Sequence, residues 1–218
     1  MAVPGPDDFT ETRAAFADAA TWFGRTVREL DLAPDEWNAP ALGEWSRRDL
    51  VGHTSRALLT VEQYLDGGPS SSSRRTIDYF RAVRSGRSDP DEVAERGRRA
   101  ADELGDRLPD AVDGIVERVI DLVSQQRADT RVSTPIGEWT LATYLPTRVF
   151  ELVVHTLDLR RAAGIDDALP TGPGRAALAV LGSLVADAAV DDAAVAGAPA
   201  LLTALTGRAA WPAGRSIL

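Results

Sequence analysis

The chain contains only two histidines, His53 and His155, and each follows a similar tetrapeptide: Gly43-Glu44-Trp45-Ser46 before the first and Gly137-Glu138-Trp139-Thr140 before the second. Glu151 stands four residues ahead of His155. On a helix that spacing places both side chains on one face about one turn apart, as two ligands of a single ion require. His53 is then expected to supply a third ligand from a facing helix. Two imidazoles and one carboxylate, with positions left open for water or substrate, describe a catalytic metal site rather than a closed structural one. Zinc is the expected ion, and Fe(II), Ni(II) or Mn(II) suit the same donors. The competing reading of Glu151 and His155 is a solvated helical pair. Their flanks favour the metal: Val149-Phe150 and Leu152-Val153-Val154 around Glu151, and Leu50-Val51-Gly52 before His53, are apolar enough that an ionisable group among them needs a partner.

Asp158, three residues after His155, and Asp49, four before His53, are both spaced to accept the second imidazole N–H and fix ligand orientation. Asp49 doubles as a helix-cap residue with Ser46. Arg148, one turn before Glu151, is open to two readings: an anchor for an anionic substrate beside the metal, or a structural ion pair. Gly52 permits close approach of another helix or a ligand, at a helix-stability cost of roughly 1 kcal/mol. The Gly172-Pro173-Gly174 run superficially matches a dinucleotide-binding glycine pattern, but no strand precedes it, so that reading is rejected.

Composition narrows the chemistry further. All 24 basic residues are arginine, which removes Schiff-base lysines, catalytic amines and a phosphate-loop lysine. Cysteine is absent, so disulfides, thiolate ligands and a protein thiol nucleophile are excluded, and any sulfur chemistry requires an external thiol. A formal charge of −9 argues against nucleic acid and anionic membranes as partners, leaving small molecules. No stretch approaches the roughly 18 apolar residues of a membrane span, and the expected location is the cytoplasm.

The elements that must position these residues are helices. Phe9, Phe16, Phe23 and Leu30 make one stripe of a first helix over residues 8–30. Ser46 opens a second helix with Leu50, Thr54, Ala57, Val61 and Leu65 on one face. Residues 67–73, rich in glycine and serine, are expected to be a mobile surface loop. A short helix over 76–84 follows, then a long helical region from Pro90 that Pro109 breaks or kinks. Residues 130–135 are short enough to be extended. Thr140 opens a helix through Leu141, Leu145, Val149, Leu152, Thr156 and Leu159. The alanine-rich remainder suggests helices near 173–190 and 199–205 and a tail over 211–218. The fold class is therefore all-α: a metal-binding helix bundle over residues 1–165, with a small C-terminal subdomain over 166–218.

Three segments resemble the mycothiol-dependent maleylpyruvate isomerase family of the DinB-like metal-binding four-helix-bundle superfamily: Gly43-Glu44-Trp45-Ser46-Arg47-Arg48-Asp49-Leu50-Val51-Gly52-His53, Glu151 through Leu159, and the tail Leu205-Thr206-Gly207-Arg208. The resemblance covers roughly residues 5–165. It implies up-down-down-up connectivity, a zinc ion on His53, Glu151 and His155, and a low-molecular-weight thiol such as mycothiol that adds to a small electrophile. It also points to Arg208 as an anchor for a substrate. The family's founding members carry a larger mixed C-terminal domain than the roughly fifty residues available here. The expected activity is thus metal-dependent isomerisation or thiol transfer. A zinc-hydroxide hydrolase and a non-catalytic ligand-binding bundle are the alternatives, and the expected oligomeric state is monomer or homodimer.

Overall fold

Apolar residues at helical spacing build four long helices whose buried faces meet along one axis. In the computed structural model, which describes residues 7–87 and 90–188, these are α1 (Asp7–Glu29), α2 (Arg47–Tyr64), α5 (Leu108–Ser124) and α6 (Leu141–Ala163). Phe16, Phe23 and Val27 of α1, Leu50, Leu58 and Val61 of α2, Val112 and Val119 of α5, and Leu145, Val149 and Leu152 of α6 are removed from solvent in one continuous core. Such burial is the main stabilising term for helices of this length. Three further helices accompany them: the shorter α3 (Thr76–Ala82) and α4 (Pro90–Glu103), and α7 (Thr171–Ala188).

Side-chain bonds fix the directions. Arg13 near the start of α1 donates to the Ser124 carbonyl at the end of α5, while Arg28 near the end of α1 bonds Asp113 near the start of α5, so these two run antiparallel. Arg160 donates to Thr26 and Glu29, joining the C-terminal ends of α6 and α1, which are parallel. Tyr144 of α6 donates to Thr60 of α2, and His155 meets His53, so α2 runs against α6. The order is up, down, down, up, as the family resemblance implies.

Two small antiparallel sheets close the bundle. β1 (Pro40–Leu42) pairs with β2 (Trp45–Ser46) and leads directly into α2, its turn carrying Gly43 at φ +56°. At the other end β3 (Leu65–Pro69), β4 (Thr130–Thr134) and β5 (Gly137–Thr140) form the order β3-β4-β5, with α2 running into β3 and β5 into α6. Ser46 caps α2 by accepting from the Asp49 N–H while the Asp49 carboxylate accepts the Ser46 N–H, the reciprocal box that the sequence suggests.

One expectation changes. The glycine-serine stretch is not simply a loop: its first residues pair with β4, and Ser70 and Ser72 donate to the Glu138 side chain and carbonyl. At Pro109 the expected interruption takes the form of a break, α4 ending at Glu103 and α5 beginning at Leu108. Pro109 sits in the first turn of α5, where its missing N–H has no partner to lose. The region assigned to a C-terminal subdomain contributes α7, whose Ala177, Val180 and Leu184 join the bundle core. The expected helix at 199–205, the tail and Arg208 lie outside the described residues. Among the described residues no helix is long and apolar enough to cross a membrane.

Candidate metal centre

Antiparallel packing of α2 on α6 is what brings the two histidines together. The imidazoles of His53 and His155 lie edge to face, with ring centroids 4.7 Å apart. His155 Nε2 is 3.2 Å from Glu151 Oε2 across one helical turn. One ligand atom from each of His53, Glu151 and His155 falls within 4.8 Å of the others. The Glu151 and His155 side chains keep 27% and 16% exposure, so the cluster is recessed yet reachable from solvent.

Asp158 holds the far side of the His155 ring, with Oδ2 3.3 Å from Nδ1, leaving Nε2 for the cluster. Asp49 does otherwise: its carboxylate is committed to Ser46, through both the N–H and the hydroxyl. His53 Nδ1 is buried without a hydrogen-bond partner among the described residues. Trp45 packs on His53 at 4.3 Å between ring centroids and reaches to 6.5 Å from His155. On another side α4 crosses α2 at Gly52, where a Cβ would come within 2.4 Å of the Ala101 backbone nitrogen. Gly97 of α4 then lies against the His53 side chain, where a Cβ would sit 3.3 Å from that of His53. The close approach suggested for Gly52 is therefore made by a helix.

The electrostatics prepare these groups as ligands. Burial, reinforced by repulsion from His155, lowers the His53 imidazole to about 3 and keeps it neutral. Burial also disfavours charge on Glu151, but the His155 hydrogen bond and the charges of His155, Arg148 and His53 outweigh it and hold the carboxylate down to about 2. For His155 burial is again outweighed, here by hydrogen bonds with Asp158 and Glu151, and the ring is raised to about 9. A neutral imidazole, an ionised carboxylate and a second imidazole oriented by an aspartate form a donor set that fits a borderline divalent ion.

Arg148 lies one turn before Glu151 and is buried, at 6% exposure. Its guanidinium is stacked over Tyr79 and Tyr144, 4.8 and 4.9 Å from the ring centroids, and Nε donates to Thr147. Neither reading from sequence foresaw two aromatic faces around this cation. Arg56, Trp45 and Gly97 are further neighbours that spacing alone did not single out. Arg56 could have been found from its position three residues after His53, whereas Gly97 is visible only once α4 is placed.

The family model described as mycothiol maleylpyruvate isomerase N-terminal domain matches residues 8–160. No curated protein and no solved structure matches the chain.

Proposed function

Because the chain belongs to the mycothiol maleylpyruvate isomerase N-terminal domain family, we propose that it is a metal-dependent enzyme that uses a low-molecular-weight thiol, mycothiol or a close analogue, on a small electrophilic substrate. The observation that carries this reading is the convergence of donor atoms from His53, Glu151 and His155 within 4.8 Å of one another. These three residues would hold one divalent ion, zinc being the best match to two nitrogens and an oxygen. When bound, the ion supplies the positive charge that lowers the pKa of an incoming thiol and makes a thiolate available at neutral pH.

The protein residues do the rest by placement. Glu151, kept ionised by the cations around it, contributes the one negative charge of the ligand set. Asp158 fixes the His155 ring. Trp45 and α4 wall two sides of His53 and exclude water from them, which strengthens electrostatic interactions within the recess. With no cysteine in the chain, the nucleophilic sulfur comes from the second molecule. Such thiols are kept reduced in the cytoplasm, where this reading places the protein.

Addition of the thiol followed by bond rotation and elimination would return it and make the enzyme an isomerase; retention of the adduct would make it a transferase. Turnover of model electrophiles is expected only with added thiol, and isotope-labelled thiol found in the product indicates transfer. Unchanged turnover in strictly thiol-free buffer contradicts both versions and favours a hydrolase that activates water instead.

A further inference from the structure

Along the seam between α2 and α6, His53 faces His155 at one level and Thr60 bonds Tyr144 at another. Antiparallel register therefore sets Arg56 of α2 opposite the segment of α6 that carries Arg148 and Glu151. Both arginines are inside this layer, and neither forms a salt bridge with a carboxylate among the described residues. Arg148 Nη2 is buried with no hydrogen-bond partner, although Nε is satisfied by Thr147. The charges that act on Arg56 besides burial are those of other cations, Arg96 and Arg148. Arg96 has its own partner in Glu92, at 3.2 Å.

A buried guanidinium without a bonded carboxylate is costly, and Arg148 has Glu151 only as a neighbouring charge. The Tyr79 and Tyr144 faces offset part of that cost through cation–π attraction, but they leave the N–H donors of Nη2 unmade. The charge of the whole recess points the same way. With both imidazoles neutral as ligands, the carboxylates of Glu151 and Asp158 offset the guanidiniums of Arg148 and Arg56. The full charge of a divalent ion is then left over. One thiolate balances half of it, and a second anion is needed for the rest.

We propose that Arg148, assisted by Arg56, is an anion-recognition subsite at the floor of the centre, taking a carboxylate of the electrophilic substrate. The guanidinium is a planar fork of donors that matches a carboxylate in two parallel bonds, and its two aromatic faces hold that plane in one orientation. The subsite lies about one helical turn from Glu151, roughly 5 Å along the axis. A small acid anchored there would present its reactive carbon beside the ligand cluster. This assignment deepens the metal-and-thiol reading and rests on it for the direction from which the substrate arrives.

The test is binding, read separately from turnover. Malonate is titrated against the full-length chain by calorimetry, with malonamide as the neutral isostere, on zinc-loaded and on chelator-treated protein whose zinc content is measured independently. Malonate is expected to bind and malonamide not, and Arg148→Met is expected to weaken malonate about tenfold or more, the loss of a charge-assisted pair. Arg56→Gln, at a partly exposed position, keeps the test available should Arg148→Met fail to fold, and is expected to weaken malonate severalfold with zinc content unchanged. Equal affinity for malonate and malonamide, or malonate affinity unaltered in Arg56→Gln and in any folded Arg148 variant, overturns the subsite. Arginine-dependent malonate binding in a chain that takes up no zinc would leave the subsite standing and defeat the metal reading instead.

Discussion

The two Gly-Glu-Trp turns use the same residues and reach opposite outcomes. Both belong to hairpins that deliver the chain into a long helix, and both place glycine at positive φ, +56° at Gly43 in the first hairpin's turn and +141° at Gly137, the first residue of β5. Because α2 and α6 are antiparallel, the turns stand at opposite ends of the bundle. Trp45 remains partly exposed and lies against His53 at the metal-centre end. Trp139 is fully buried at the other end, beneath Arg74 and beside Tyr79. The lead-in is thus a folding device, and chemistry attaches to whichever end the histidines meet. His53 is only eight residues beyond its tryptophan, His155 sixteen beyond its own, and that inequality selects the end.

Substitutions at the two ends should therefore behave differently. The largest effect on stability is expected for Trp139→Ala, a loss of about 3–5 kcal/mol from the core, whereas Trp45→Ala should cost much less stability and instead weaken metal binding. Urea unfolding and metal titration on the two variants measure both, and a Trp45→Ala variant as unstable as Trp139→Ala would dissolve the distinction. Next comes Gly52→Ala, which drives a methyl group into the backbone of α4 and is expected to cost about 1–3 kcal/mol as overpacking while displacing Gly97 from His53. Metal affinity should fall with it. Ser46→Ala removes a reciprocal cap and should cost about 1 kcal/mol. Thr140→Ala should cost less, since the Thr140 hydroxyl meets only the Thr143 hydroxyl and caps no N–H.

The finest distinction is protonic and confined to the histidine end. In metal-free protein His155 has its folded pKa raised to about 9, so its contribution is complete below about 6.5 and is lost as pH rises through 9. His53, depressed to about 3, acts in the opposite sense: its contribution is present above about 6.5 and is lost as pH falls toward 3. Stability of the chelated protein should therefore decline on both sides of about pH 6.5 from these two groups, as urea midpoints across pH 4–10 would record. His155→Gln should flatten the alkaline side and, by removing a charge that helps depress His53, soften the acid side to a lesser degree. Zinc binding at pH 7 should release about one proton, because a coordinated imidazole must be neutral, and calorimetry in buffers of different ionisation enthalpy counts it.

Much of this was legible in the sequence because it depends on local periodicity. The four-residue step from Glu151 to His155 fixes a shared helical face whatever surrounds it, and Ser46 with Asp49 encodes its own cap. Other features depend on partners distant in the chain. Leu65 continues the helical spacing and residues 67–69 look like a loop until β4, some sixty residues later, draws Leu65–Pro69 into a strand. Asp49 has the spacing to orient His53, yet its carboxylate is already used at the helix start. That Arg148 forms no salt bridge with a carboxylate among the described residues is a property of packing, and no spacing rule reports which charges a fold leaves without a bonded partner.

Metal analysis of the purified chain decides whether the histidine end is a metal centre. About one zinc or similar ion per chain is expected, lost in His155→Ala with helical circular dichroism preserved, and retained in any Trp139 variant that still folds. Full metal occupancy in the His53→Ala, His155→Ala double variant would contradict that assignment.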